Sequence, residues 1–148
     1  MLDEVQRVED WELLAQFAQA YRSLSDVLMD QITLRRSQAM VLCKLFHEDG
    51  MTQTEIAQQL AVQGATVTDM LQRMEEAGMV TRRRDRDDNR LVRVYLTDAG
   101  REKELFIMEQ FLKLESAVFA GFDENERVVL RQLLNRTLDN MSRKMRQL

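Results

Sequence analysis

Residues 52–80, TQTEIAQQLAVQGATVTDMLQRMEEAGMV, and residues 81–100, TRRRDRDDNRLVRVYLTDAG, decide the fold of this chain. The first segment has the spacing of helix, turn and helix, in which the second helix is shaped to enter a major groove. The second segment places arginines in a hairpin, where a neighbouring minor groove would lie. Thr52 followed by Glu55 matches a capping box, so a short helix starts there with Ile56, Ala57 and Leu60 facing inward. The chain then turns through residues 61–64. A further helix is predicted over 65–77, because Val67, Met70, Leu71 and Met74 fall at i, i+3, i+4 and i+7; Gly78 is placed to be its left-handed C-terminal cap. Residues 80–84 and 91–96 read as two strands. The second alternates, with Val92, Val94 and Leu96 on one face and Leu91, Arg93 and Tyr95 on the other. The turn between them, DRDDN, is polar and long enough to project.

Outward from this centre the chain reads as long helices. It has no proline, and its five glycines fall near element boundaries. Trp11, Leu14, Phe17, Tyr21, Leu24 and Leu28 line one face of a first helix, which is expected to be buried. A second helix is predicted over 35–46, with Ala39, Leu42, Cys43 and Phe46 on its inner face. Thr97 caps a helix expected to continue to Gly121. Asp123 with Glu126 forms a second capping box, after which Leu130, Leu134, Leu138, Met141, Met145 and Leu148 follow one side of the last helix. The fold class is therefore mainly α with a small β wing (α+β): a winged helix-turn-helix core flanked by long dimerisation helices. Residues 1–148 read as a single domain, with a DNA-binding lobe at 35–97 and a dimerisation lobe from 1–32 and 98–148. The flanking helices carry more apolar surface than a small winged lobe can cover, so a homodimer is expected.

The bulk numbers agree with a globular chain. At 148 residues, with 45% hydrophobic and 31% charged, it can bury a core, and no apolar run approaches the roughly 20 residues needed to span a bilayer. The acidic start, MLDEVQRVEDWELL, lacks the pattern of a secretory signal, so a cytoplasmic location is expected. A net charge of −4 argues at first sight against nucleic acid. The distribution reverses that argument: residues 79–94 hold six arginines against three aspartates, a local +3 on a body of −7. With Cys43 and His47 the single members of their types, neither a disulfide nor a Cys/His metal site is expected, and no cofactor is called for. No nucleophile–base pair, phosphate loop or carboxylate dyad is recognisable, so the chain is not expected to be an enzyme.

The order of elements resembles the MarR family of bacterial transcriptional regulators over nearly the whole chain. The most specific stretch is residues 88–97, DNRLVRVYLT, which fits the family's wing pattern D-x-R-x-x-x-V-x-L-T. Thr66-Val67-Thr68 at the start of the reading helix, then Leu71, Arg73, Met74, Glu75 and Gly78, are also family-like. The resemblance implies a two-fold dimer acting on a pseudo-palindromic operator, usually as a repressor, released by a small aromatic or phenolic effector or by cysteine oxidation. Two positions depart from the pattern: Asn89 stands where many members carry a first wing arginine, and Asp69 where a basic residue often sits.

The candidate DNA-binding residues are Gln63, Ala65, Thr66, Thr68, Asp69, Gln72 and Arg73 on the helix, and Arg84, Arg86, Asp88 and Arg90 on the wing. Small and hydroxyl residues let the helix approach bases, Gln72 suits an adenine edge, and Asp69 would need a cytosine amino group to accept from. Arg90 is expected to enter the minor groove, where a weakly hydrated guanidinium meets a negative potential, with Asp88 holding it in position. Arg82, Arg83 and Arg84 alternate faces, so at least one is expected to be structural. The resemblance places an effector pocket between the flanking helices and the winged lobe, with Trp11, Tyr21, Met40, Cys43 and His47 as candidates by position. Cys43 reads as a core thiol, with an oxidation sensor as the alternative. The competing functional class is a winged-helix protein-interaction module that does not read DNA, consistent with the acidic body and Asp69.

Overall fold

The computed structural model describes residues 9–148. Residues 1–8, part of the acidic start from which the absence of a signal was read, lie outside the described residues. The elements are α1 (Asp10–Asp30), α2 (Arg36–His47), α3 (Gln53–Leu60), α4 (Gly64–Glu76), β1 (Val80–Arg84), β2 (Val92–Leu96), α5 (Asp98–Glu102), α6 (Glu104–Val118) and α7 (Glu124–Met145). They fall into two compact units that divide within α6, one ending at Leu114 and the other running from Glu115 to Leu148.

The first unit is organised around one core. Met29, Leu34, Val41, Leu42, Leu45, Ile56, Val67, Leu71, Met74, Val80, Val94 and Ile107 are buried together. The spacing of α3 and α4 supplies their share, and both capping predictions hold. Thr52 accepts from the Glu55 N–H at 3.1 Å and Glu55 accepts from the Thr52 N–H at 2.9 Å. At the end of α4, Gly78 adopts φ +77°. Its N–H reaches Glu75 O and the Met79 N–H reaches Met74 O, a two-bond cap that closes the last turn. On α2 the inner face is wider than its spacing suggested: Val41 and Leu45 are buried, whereas Cys43 and Phe46 are only half-buried.

The β1–β2 hairpin is antiparallel, with Val80 opposite Leu96 and Arg84 opposite Val92; Leu91, expected to start β2, lies one residue outside it. The α2–α3 link adds a further rung to β2: Gly50 N–H donates to Val94 O at 3.0 Å, and Val94 N–H donates to Met51 O at 2.8 Å. Gly100 packs so closely on β1's approach that a Cβ there would lie 2.1 Å from the Met79 carbonyl oxygen. The helix capped by Thr97 does not run unbroken to Gly121 as expected. After α5 the Lys103 N–H bonds back to Gly100 O, a tight turn three residues long, before the ladder resumes from Ile107 to Lys103.

The largest departure is α1. Trp11 is 71% exposed, and Leu14, Phe17 and Tyr21 are exposed with it. Only Ser25, Leu28 and Met29, near the C-terminal end, are buried. The apolar stripe predicted to be covered is real but uncovered in a single chain, because the core reaches only the last two turns. In the second unit, Asp123 and Glu126 form the predicted reciprocal cap of α7, and Arg127 stacks 4.4 Å from the Phe119 ring centroid. No residue of α7 is buried. Among the described residues no helix is long and apolar enough to cross a membrane.

Candidate nucleic-acid interface

Burial of Val67, Leu71 and Met74 fixes the rotation of α4, and this turns Ala65, Thr66, Thr68, Asp69, Gln72 and Arg73 outward. Gln63 is the N-cap, exposed and extended. Thr68 Oγ1 donates to Gly64 O at 3.0 Å and accepts from Gln53 Nε2 at 3.3 Å, which leaves its methyl as the unengaged part of the side chain. Asp69 is not a bare negative charge: Arg73, one turn on, pairs with it at 3.2 Å. Both side chains are more than half exposed, so the pair is worth only about 0.3–0.5 kcal/mol and yields readily to a better partner. Gln72 donates to Glu76 at 3.4 Å, an equally loose tether.

The wing is held far more firmly. Arg82 is its structural arginine: the backbone N–H donates to Glu75 Oε2 at 2.8 Å, while the guanidinium bonds Glu75 Oε1 and Gln53 Oε1. It therefore ties β1 to both helices of the reading motif. Arg83 packs over the Tyr95 ring, 5.4 Å from its centroid. Arg84 Nη1 donates to Asn89 O at 2.8 Å, spanning the base of the turn. Asp85 organises that turn, with one carboxylate oxygen accepting from the N–H groups of Asp87 and Asp88 and the other from Arg93. The Arg93 bond and these backbone donors hold the Asp85 carboxyl down at about 2. Arg93 in turn donates to Gly50 O at 2.9 Å, which roots the wing in the α2–α3 link.

At the tip, Arg90 gives Asp88 a two-pronged contact, Nε and Nη2 each at 3.0 Å, and Asp88 also accepts from the Arg90 backbone N–H. The Arg90 contacts lower the Asp88 pKa. Arg90 remains 90% exposed, so the pairing aims it without hiding it. Arg86 is exposed and forms no ion pair among the described residues. Thus the wing candidates Arg84, Arg86, Asp88 and Arg90 cluster on one turn. Sequence reasoning missed the residues that position them, Asp49, Glu75, Asp85 and Arg93. Asp85 alone had a local signal, since an aspartate two and three residues before free N–H groups favours such a turn. Asp49 accepts from the Leu96 N–H at 2.9 Å and from Arg101 at 2.7 Å across a long stretch of chain, which no spacing reveals.

Of the effector candidates, Met40, Cys43 and His47 share one cavity of about 390 Å3, with Lys44, Glu48, Met51 and Phe111 also on its walls. Trp11 and Tyr21 do not line it; they sit on the exposed stripe of α1. The cavity's walls are mixed, with Met40, Cys43, Met51 and Phe111 beside Lys44, His47, Glu48 and Gln59. Burial pushes the Cys43 thiol above its ordinary pKa, with Lys44 only partly opposing, so it is poorly disposed to ionise. Among the described residues no group of three His, Cys, Asp or Glu side chains is placed to hold a metal ion.

Comparison with known proteins agrees with this geometry. The MarR family model matches residues 34–92. The chain is 30% identical over 135 residues to the uncharacterised HTH-type transcriptional regulator YdgJ of Bacillus subtilis (strain 168), covering 90% of this chain and 82% of that protein. The MarR protein from Peptoclostridium difficile DA00132 superposes with a TM-score of 0.84 at 24% identity, over 97% of this chain and 94% of that one. The MepR protein of S. aureus, solved as a complex with DNA, superposes at 0.81 with 23% identity, over 89% and 98% respectively. At these identities the two structures establish the winged fold.

Proposed function

Because the chain belongs to the MarR family of transcriptional regulators, we propose that it acts as a homodimeric, sequence-specific repressor on double-stranded DNA in the cytoplasm, released by a small aromatic or phenolic effector. The observation that carries this reading is the juxtaposition of an exposed, small and hydroxyl-rich face on α4 with a wing whose Arg90 is aimed by Asp88 yet left in solvent. Two such heads in a two-fold dimer would enter successive major grooves about 34 Å apart, with the wings in the flanking minor grooves. The uncovered stripe of α1 and the apolar residues exposed along α7 support self-association, since each isolated amphipathic face needs a partner. The cavity at Met40, Cys43 and His47 supports an effector site on the first unit. An occupant there would act by binding one arrangement of the reading heads better than another.

A mobility shift with the promoter of its own gene at two salt concentrations tests this. Sequence-preferred binding, weakened by added salt, is expected of the wild type, and Arg90→Ala should both weaken it and flatten its salt dependence. Unchanged affinity and slope in that variant would remove Arg90 from the interface. A winged-helix interaction module that does not read DNA is the second reading, favoured by the net charge of −4 and by Asp69 on the reading face. Absence of any preferred duplex at low salt would select it.

A further inference from the structure

Helix α4 is bordered by two grooves of different chemistry. The one shared with α3, about 420 Å3, is lined by Gln53, Thr54, Gln58 and Thr68 among other uncharged residues. The one shared with the start of α2, about 310 Å3, is lined by Arg35, Ser37 and Gln38 on one wall and by Thr66, Asp69 and Arg73 on the other. The second wall belongs to the face proposed to read bases; the first does not. Within this groove Arg73 is engaged by Asp69 at 3.2 Å. Arg36, next door, is engaged by Asp26 at 2.9 Å. Arg35 is exposed and forms no ion pair among the described residues; it also lines the adjoining groove with Asp26 and Asp30, of which Asp26 is engaged by Arg36.

A helix seated in a major groove has a phosphate backbone on each side, and contacts to those backbones set register without reading sequence. We propose that the α2–α4 groove binds a DNA backbone phosphate, with Arg35 supplying the charge and the Ser37 hydroxyl a neutral donor. The α3 side then meets the opposite strand through uncharged groups. This rests on the DNA-binding reading above and adds a contact outside both the reading helix and the wing. It makes the electrostatic grip of each reading head one-sided.

The test compares the wild type with Arg35→Gln and Arg35→Lys on the best operator found and on an unrelated duplex of equal length, across a salt series. Removing one phosphate contact per protomer lowers the slope of log K against log salt by about 0.9 for each protomer bound. Arg35→Gln is expected to show that loss on both duplexes alike, leaving their affinity ratio unchanged, and Arg35→Lys to restore the slope. A slope that does not change, or a changed ratio between duplexes, overturns the proposal while DNA binding itself stands. A wild type that binds neither duplex overturns both readings. The alternative source of the same chemistry is free phosphate. Millimolar inorganic phosphate is expected to leave the melting temperatures of wild type and Arg35→Gln unaffected; a rise in the wild type that the variant loses would reassign the groove to a free anion and overturn the DNA contact.

Discussion

The winged lobe and the first helix are built from equally periodic sequence, yet they meet opposite fates. In α4 the apolar residues at helical spacing disappear into the core, and at the root of the wing Arg82 and Arg93 are engaged by Glu75, Gln53 and Gly50 from other parts of the lobe. In α1 the same spacing leaves Trp11, Leu14, Phe17 and Tyr21 in solvent. Periodicity states which face of a helix is apolar; it does not state what covers it. The lobe buries its own apolar face, whereas the stripe of α1 is left in solvent among the described residues.

The sharpest way to break this contrast is in the core. Leu71→Ala removes a fully buried side chain and is expected to cost about 2–5 kcal/mol, read as a lowered denaturant midpoint at unchanged m-value. The same deletion at an exposed α1 residue should cost the isolated chain far less. Phe17→Asp instead should act on assembly. It removes about 1.5–3 kcal/mol of apolar burial from each protomer of a dimer that covers this stripe, so sedimentation should show association weakened by at least tenfold. Unchanged association would mean the stripe is not the dimer seam. Next comes Gly100→Ala, whose methyl must displace the Met79 carbonyl from 2.1 Å; about 1–3 kcal/mol of destabilisation is expected in thermal unfolding.

The joint between the two regions offers a gain. Thr33 ends α1 at φ +60°, a left-handed conformation that costs a β-branched residue about 1–2 kcal/mol and glycine almost nothing. Gly78 closes α4 in the same way without that penalty. Thr33→Gly is therefore expected to stabilise the chain by about 1 kcal/mol, less than the full strain because glycine also gains freedom when unfolded. The smallest effect concerns pH. Asp85 has a lowered pKa in the folded wing, about 2, so its contribution is complete above the ordinary carboxylate range near pH 4 and is lost as pH falls towards 2. Asp85→Asn should flatten the pH dependence of wing protection in hydrogen exchange over that window, with protection lowered at neutral pH, where the carboxylate's contribution is complete, and converging on the wild type towards pH 2.

Much of the fold was legible because its signals are local. Capping boxes at Thr52 and Asp123, the Gly78 terminus and the alternation of β2 each depend on residues within one turn or one strand. The helix break at Lys103 was not legible, since it accompanies the close packing of Gly100 against Met79 from a distant segment. For the candidate interface, the outward face of α4 followed from its inward one. The pairing of Asp69 with Arg73 did not, because a four-residue spacing permits an ion pair without requiring it. The separation of Trp11 and Tyr21 from the cavity of Met40, Cys43 and His47 depends on where α1 lies, which helical spacing leaves open.

The amino-acid order by itself determined the helices apart from the break at Lys103, the hairpin, the basic wing on an acidic body and the family, because each is written in neighbouring residues. Only the tertiary structure decided which arginine is structural and which is presented. Arg82 is drawn in by Glu75 and Gln53, Arg93 by Asp85 and Gly50, and Arg90 is left aimed at solvent. The reason is physical: a guanidinium's role depends on the acceptors the fold brings within hydrogen-bond reach, and most of those acceptors come from elsewhere in the chain.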